Sequence, residues 1–384
     1  MTATASDAKA AAQATVERAR DTLVALSHRI HAHPELKFEE THSSEWTAGA
    51  LSDAGLPVEV GICDLPTAFS CTFGDGPLHL AICAEYDALP GIGHACGHNI
   101  IASAAVGAGL ALAPLVDDLG LTVHVIGTPA EEGGGGKIYL LERGAFDGVH
   151  AAMMVHPTPQ EDIYIRCSAV AHVHIEYTGR PAHAAFAPEL GINALDAFTV
   201  AEVGIGLLRQ HLRKTDQIHV IVTNGGDAVN VVPAYTEGLC MFRARTIEEL
   251  EELRPRVMQC FEAGGLATGA ALRVENVSPD YAQMEHDHDI AEVFRANSAA
   301  LGRPPSDDGA GTFSTDMGNV SLAMPSIHPC LGIETNGAVN HQPEFAQAAI
   351  NASADRAVVD GALGMAWTAI DVATGPLSDR LLRT

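Results

Sequence analysis

Apolar residues recur at helical spacing from Ala8 to His33, where Pro34 stops the run, and from Glu39 to Ala54, where Gly55 ends it. Two amphipathic helices are predicted. The pattern then changes to short apolar runs at Ala68–Phe73, Leu78–Ala84 and Leu121–Thr128, with the Ala/Gly-rich stretch Ile100–Val116 between the last two. Strands alternating with a buried helix predict an α/β layer on a mixed, mostly parallel sheet, whose strand-end loops are the places to look for a site.

From Ala171 the rhythm changes again. His172-Val173-His174-Ile175-Glu176-Tyr177 alternates with period two and predicts a strand. A helix over Gly191–Arg213, strands over Gln217–Thr223 and Thr236–Arg245, a helix over Ile247–Ala263 and a strand over Ala271–Asn276 follow. This strand-helix-strand-strand-helix-strand order is the ferredoxin-like one. Residues 169–282 therefore read as an α+β domain inserted into a first domain formed by residues 1–168 and 283–384. Beyond it come a helix at Asp287–Leu301, a Gly/Asp-rich loop at Ser306–Gly318, a short strand near Ser326–Ile333 and a last helix at Pro343–Ala373.

Composition narrows the function classes. The chain has 384 residues, 47% of them hydrophobic, and a formal charge of −26, which disfavours nucleic acid or an anionic membrane as partner. No basic stretch followed by an apolar segment marks the N-terminus, and Ile100–Val116 is too short for a membrane span, so a cytoplasmic protein is expected. The eight cysteines are scattered, without close pairs, and read as reduced thiols.

The densest chemical signal is Glu85-Tyr86-Asp87-Ala88-Leu89-Pro90-Gly91-Ile92-Gly93-His94-Ala95-Cys96-Gly97-His98-Asn99, between a strand and a helix. Gly97 lets Cys96 and His98 turn toward one metal region; a buried cysteine beside a chance histidine is the plain alternative. The adjacent carboxylates Glu131 and Glu132 follow a strand and precede a flexible glycine run. One could hold a metal while the other moves a proton, or both could form a solvated acidic turn. His156 and His341, also at segment ends, complete a set of five candidate donors in the first domain: Cys96, His98, Glu132, His156 and His341.

Together these motifs resemble the aminoacylase and carboxypeptidase superfamily of dinuclear metallohydrolases, in the amidohydrolase branch with hippurate hydrolase, indole-acetyl-amino-acid hydrolases and p-aminobenzoyl-glutamate hydrolase. The likeness runs from His31-Ala32-His33-Pro34-Glu35-Leu36 to His341. It implies two divalent ions, Zn2+ or Mn2+, held by the five donors with Cys96 bridging, Glu131 as general base, and hydrolysis of an N-acyl, aminobenzoyl or aminoacyl amino acid or of a dipeptide. It further implies that His183, in Gly179-Arg180-Pro181-Ala182-His183, steadies the oxyanion, and that Asn230, Arg243 and Thr315 lie toward the substrate. The inserted domain would serve as lid and homodimer interface. Two departures, Glu85-Tyr86-Asp87 and Asn99, shift the likeness toward the aminobenzoyl-glutamate and dipeptidase members, and Asn99 leaves open what orients the ligand histidine. Two rivals remain: a non-catalytic protein that binds a metal or small ligand, and a closed structural zinc site.

Overall fold

In the computed structural model, which describes residues 4–306 and 312–383, the Thr4 hydroxyl accepts from Asp7 N at 3.2 Å and opens α1 (Ala5–His31). Ala8, Ala12, Val16, Leu23, Leu26 and Ile30 form its buried stripe. The second helix, α2 (Thr41–Ser52), starts after the predicted Glu39 because the Glu35 carboxylate accepts from His42 N and Ser43 N, at 3.0 and 2.7 Å, and so takes up two free donors of the first turn.

The chain divides into two units, Met1–Arg166 with Met284–Thr384, and Cys167–Gln283. In the first, β1 (Val58–Val60), β2 (Phe69–Phe73), β3 (Leu78–Ala84), β4 (Leu121–Gly127), β5 (Ala151–Met153) and β13 (Ser326–Ile327) make one sheet in the order β1-β2-β4-β3-β5-β13. The four strands β4, β3, β5 and β13 run parallel, and β2 and β1 close one edge antiparallel. This is the mostly parallel α/β sheet expected. Helix α3 (His98–Leu112) is buried along almost its whole length between the sheet, α1 and α11 (Ala352–Thr374), as suits a helix of Ala, Gly and Ile. Gly107 permits that crossing, since a Cβ there would lie 2.7 Å from Ala362 Cβ and 2.9 Å from Leu23 Cδ1. Helix α11 is long and apolar enough to cross a membrane, yet it is mostly buried and packs against α1, α3 and α8 (His288–Ala300).

Four further predicted elements of the first unit are drawn differently by the structure. Helix α3 stops at Leu112, and a separate turn, α4 (Val116–Leu119), follows. The predicted strand Ser326–Ile333 is two, β13 and β14 (Cys330–Gly332), the latter pairing with β6 (His156–Thr158) outside the main sheet. The last helix is broken into α10 (Pro343–Ala348) and α11, because the Asn351 side chain accepts from Ser353 N and Ala354 N and starts a new helix. The predicted loop Ser306–Gly318 lies outside the described residues at 307–311 and gives way to α9 at Met317. Helix α9 ends at Ala323; α5 (Gly136–Glu142), α12 (Leu377–Leu381) and the short strands β7 (Arg166–Cys167) and β12 (Thr312–Phe313) complete the elements outside the second unit's core.

The second unit runs β8 (Ala169–Thr178), α6 (Ala194–Leu208), β9 (Gln217–Asn224), β10 (Tyr235–Ala244), α7 (Ile247–Thr268) and β11 (Ala271–Asn276). Its sheet is antiparallel throughout, in the order β11-β8-β10-β9. Ala169, Ala171, Val173, Ile175 and Tyr177 point to a separate core under α6 and α7, which is what the two-residue alternation required.

Candidate active site

Strands β3, β4 and β5 are parallel, so their C-terminal ends share one edge of the sheet, where loops of an open α/β layer build sites. Glu85 and Asp87 follow β3, Glu131 and Glu132 follow β4, and His156 follows β5. Cys96 and His98 come from the turn into α3, where Gly97 at φ +79° aims the helix start, and His341 precedes α10.

The five predicted donors meet. Cys96 Sγ lies 3.5 Å from His156 Nε2 and 3.7 Å from His341 Nε2, and His341 Nε2 lies 3.1 Å from Glu132 Oε1. Two donor groups result, Cys96-His98-His156 and Cys96-Glu132-His341, and the thiol belongs to both. For metal–nitrogen and metal–sulfur bonds of ordinary length, tetrahedral neighbours stand about 3.4–3.6 Å apart, so this spacing fits two ions sharing one thiolate. His156 donates Nδ1–H to Pro157 O at 2.9 Å, which leaves Nε2 as the lone-pair atom; burial lowers its pKa to about 4 and keeps it neutral, as a ligand must be. Backbone strain gathers here too: His341 and Ala130 sit at φ +69° and +59°.

What orients His98 is Asp87. Its Oδ1 takes His98 Nδ1 and its Oδ2 takes Glu132 N, both at 2.9 Å, so one buried carboxylate ties two donor residues together. Asn99 faces away, donating to Ser27 Oγ and Ala349 O. Glu131 is buried, with Oε2 at 3.9 Å from His98 Nε2. Burial, then the charges of Glu85, Glu132 and Asp316, push its carboxyl well above the usual range. Burial acts the same way on Glu132, but the His341 hydrogen bond and the His98 charge outweigh it and hold that group low. Adjacent carboxylates driven in opposite directions suit a proton carrier beside a ligand. The glycine run after them is packed rather than flexible: a Cβ on Gly136 would stand 1.8 Å from Pro129 O, and on Gly134 2.6 Å from Ala130 Cβ.

Sequence reasoning missed Lys137 and Asp316 as a pair with Glu85. Lys137 is fully buried, its Nζ on Glu85 Oε1 and, at 2.7 Å, on Asp316 Oδ1. Lys137 thus answers Glu85 and Asp316, while Asp87, Glu131 and Glu132 gather around His98; fully ionised, these five carboxylates and one ammonium carry a net −4, an excess that divalent cations would offset. The donor set and the charge both fit a two-metal centre.

The other predicted residues are placed as follows. Thr315 is 2% exposed and its hydroxyl accepts from Met317 N at 3.2 Å, at the start of α9. His183, Asn230 and Arg243 belong to the second unit. His183 is exposed, and its Nδ1 accepts from Ala185 N and Phe186 N, each at 3.2 Å, so the ring proton sits on Nε2. Asn230 is exposed, and Arg243 on β10 is partly buried near Met241 Sδ, with burial lowering its pKa.

A strand-end cluster of thiol, imidazoles and carboxylates with a raised glutamate beside it defines a metallohydrolase of amide bonds. Residues 81–357 match peptidase family M20/M25/M40, and the chain belongs to that family. The Xaa-Arg dipeptidase of Mus musculus is 37% identical, over 94% of this chain and 88% of that protein. A p-aminobenzoyl-glutamate hydrolase chain of Escherichia coli is 35% identical over 66% of this chain and 57% of that protein. The fold matches that of a dinuclear metal-binding M20 peptidase from Bacillus subtilis, with a TM-score of 0.71, 20% identity, and 93% of this chain and 99% of that one covered.

Proposed function

We propose that the protein hydrolyses a dipeptide or a related N-acyl or aminobenzoyl amino acid, releasing the free amino acid, at a centre of two divalent ions, Zn2+ or Mn2+. The observation that carries this reading is the single thiol shared by two donor groups, with the raised Glu131 beside them. Cys96, His98 and His156 would hold one ion and Cys96, Glu132 and His341 the other. Bound there, the ions would supply an acidified water and polarise the scissile carbonyl. Glu131 Oε2 takes the water's proton and returns it to the leaving nitrogen. His183 offers its Nε2–H to the developing oxyanion, Arg243 and Asn230 grip the substrate carboxylate, and Thr315 braces the loop beneath.

The dipeptide is favoured because the Mus musculus relative, alike over 94% of the chain, is an Xaa-Arg dipeptidase. A formal charge of −26 would steer a cationic dipeptide toward the protein. Residues 169–282 act as a ferredoxin-like lid and homodimer domain on a catalytic domain of residues 1–168 and 283–384, in a cytoplasmic enzyme. Val203 and Leu207 on α6 and Ile221 on β9 are exposed apolar side chains that a partner would cover.

The test is a panel of Xaa-Arg and Xaa-Lys dipeptides, p-aminobenzoyl-glutamate and hippurate, offered to Mn2+- or Zn2+-loaded wild type and Glu131→Gln. Wild type should turn over at least one class, and the variant should lose about 10²–10⁴-fold while keeping two ions. Full activity in Glu131→Gln overturns the base. No turnover of any member with two ions bound favours the binding-protein reading.

A further inference from the structure

Glu40 stands at the N-terminal cap of α2 and makes no capping bond there, because Glu35 takes the first-turn donors. Its side chain runs inward instead and is fully buried. Oε1 accepts from Ala130 N at 2.8 Å, and Oε2 accepts from the Thr67 hydroxyl at 3.0 Å. Thr67 is fixed in turn by the Tyr86 hydroxyl, which donates to its carbonyl oxygen. Both oxygens of this buried carboxyl are therefore committed, and one of them to the backbone beside the site.

Ala130 is the residue before Glu131. It sits at φ +59°, a left-handed conformation that is unfavourable for alanine and persists only where its surroundings enforce it. Three groups do so: Glu40 on its N–H, and Gly134 N and Gly135 N on its carbonyl oxygen at 3.1 and 2.9 Å. At the far end of the turn Asp87 Oδ2 takes Glu132 N. Glu131 thus lies between two backbone N–H groups, each pinned by a carboxyl from another part of the chain. The rest of the connection from α1 to α2 leans on the same turn. Lys37 Nζ donates to Gly133 O at 2.8 Å, and a Cβ on Gly134 would lie 2.9 Å from Phe38 Cε2.

The geometry points to Glu40 as a positioning residue for the base: through Ala130 N–H it holds the turn that aims Glu131 and Glu132 at their separate tasks. This rests on the reading of Glu131 as base. Glu40 acts through the backbone, since its hydrogen bonds go to Ala130 and Thr67 and to none of the five donors. What the brace requires is an acceptor at Oε1, and a carboxylate, a carboxylic acid and a carboxamide all supply one. The Thr67 hydroxyl can turn from donor to acceptor to meet a carboxamide NH2. Misplacing a reacting group by about 1 Å costs on the order of 10²-fold in rate, so loss of the acceptor should be felt in turnover more than in binding.

Full-length wild type, Glu40→Gln and Glu40→Ala are loaded with Mn2+, and kcat, KM, bound metal and hydrogen exchange of the peptide spanning residues 129–136 are measured, with Glu131→Gln beside them. Glu40→Ala should lose about 10–10²-fold in kcat, with KM and metal content near wild type and faster exchange in that peptide. Glu40→Gln keeps the acceptor and should restore both kcat and slow exchange. Three results overturn the proposal: a folded Glu40→Ala with wild-type kcat or wild-type exchange, a Glu40→Gln as impaired as Glu40→Ala, or a Glu40→Ala whose loss is explained by missing metal. Full activity in Glu131→Gln defeats instead the base reading on which this one rests. Should Glu40→Ala fail to fold, Glu40→Asp decides: it keeps the carboxylate and draws it back by one methylene. Its kcat should fall while KM holds, and an unchanged kcat overturns the assignment.

Discussion

Asp87→Asn probes the tie between His98 and Glu132. The side chain is 1% exposed, and both its oxygens accept from donors, His98 Nδ1–H and Glu132 N–H, at 2.9 Å. An amide has one accepting oxygen, so its NH2 must face one of the two. Facing Glu132 N, it leaves a buried donor unpaired, at about 1–3 kcal/mol of stability. Facing His98, it forces the other tautomer, in which Nε2 carries the proton and no longer offers a lone pair. Loss of such an orienting partner typically weakens metal binding 10–100-fold, about 1.4–2.7 kcal/mol. A second effect has the opposite sign. Burial opposes the His98 cation, but the Asp87 charge and hydrogen bond outweigh it and hold the pKa well above the ordinary value, so protons compete with metal there. Without that charge, the pH at which metal is lost should fall. Chelator competition from pH 5 to 8 measures both effects: weaker binding at neutral pH, and a loss midpoint displaced to lower pH. A folded variant within threefold of wild-type affinity, with an unmoved midpoint, would refute the orienting role.

Gly97→Ala puts a Cβ 2.5 Å from Pro157 Cγ at φ +79°, so unfolding should show a loss of roughly 2–4 kcal/mol together with weakened metal binding; unchanged stability would contradict the packing. Burial, then the Asp87 charge, pushes Glu40 up to about 7, from 4.5. A raised acid contributes fully below pH 4.5 and loses that contribution as pH rises toward 7, so Glu40→Gln should gain on wild type across that window by up to ~3 kcal/mol in denaturant titrations; parallel pH curves would sink this. His183→Ala should cost about 10²–10³ in kcat with metal content unchanged, and an unaltered kcat removes it from the oxyanion.

Elements whose pattern is local were legible in the sequence. Strand β3 is Leu78–Ala84 as read, and β11 is Ala271–Asn276, because each is a short apolar or alternating run between turn residues. Boundaries set by side chains elsewhere were not. The start of α2 depends on Glu35 and the restart of α11 on Asn351, both stronger than the periodicity that runs past them. The same limit applied to the glycines after Glu132. Their number suggested flexibility, whereas contacts with Ala130 and Pro129 leave no room for a Cβ at Gly134 and Gly136, and Gly133 and Gly135 sit at φ +72° and +74°.

The site divides along the same line. Five candidate donors stood at segment ends, and the resemblance implied a role for each, but the buried charge around them comes from residues spread over the whole chain. Glu85 and Asp87 alternate with Tyr86 in an extended segment, a signal that both turn one way. Nothing nearby announces that Lys137, 52 residues on, and Asp316, another 179 beyond it, answer Glu85. An ammonium between two carboxylates leaves one negative charge, and Asp87, Glu131 and Glu132 add three more in the same buried space. Proteins rarely bury such an excess without protons or cations to match it. Burial already drives Glu131 toward holding a proton, while Asp87 and Glu132 are held low by their partners. A divalent cation bound beside it would act against the first of these, and an ionised Glu131 would then be able to take up a proton, which is what the proposed base requires.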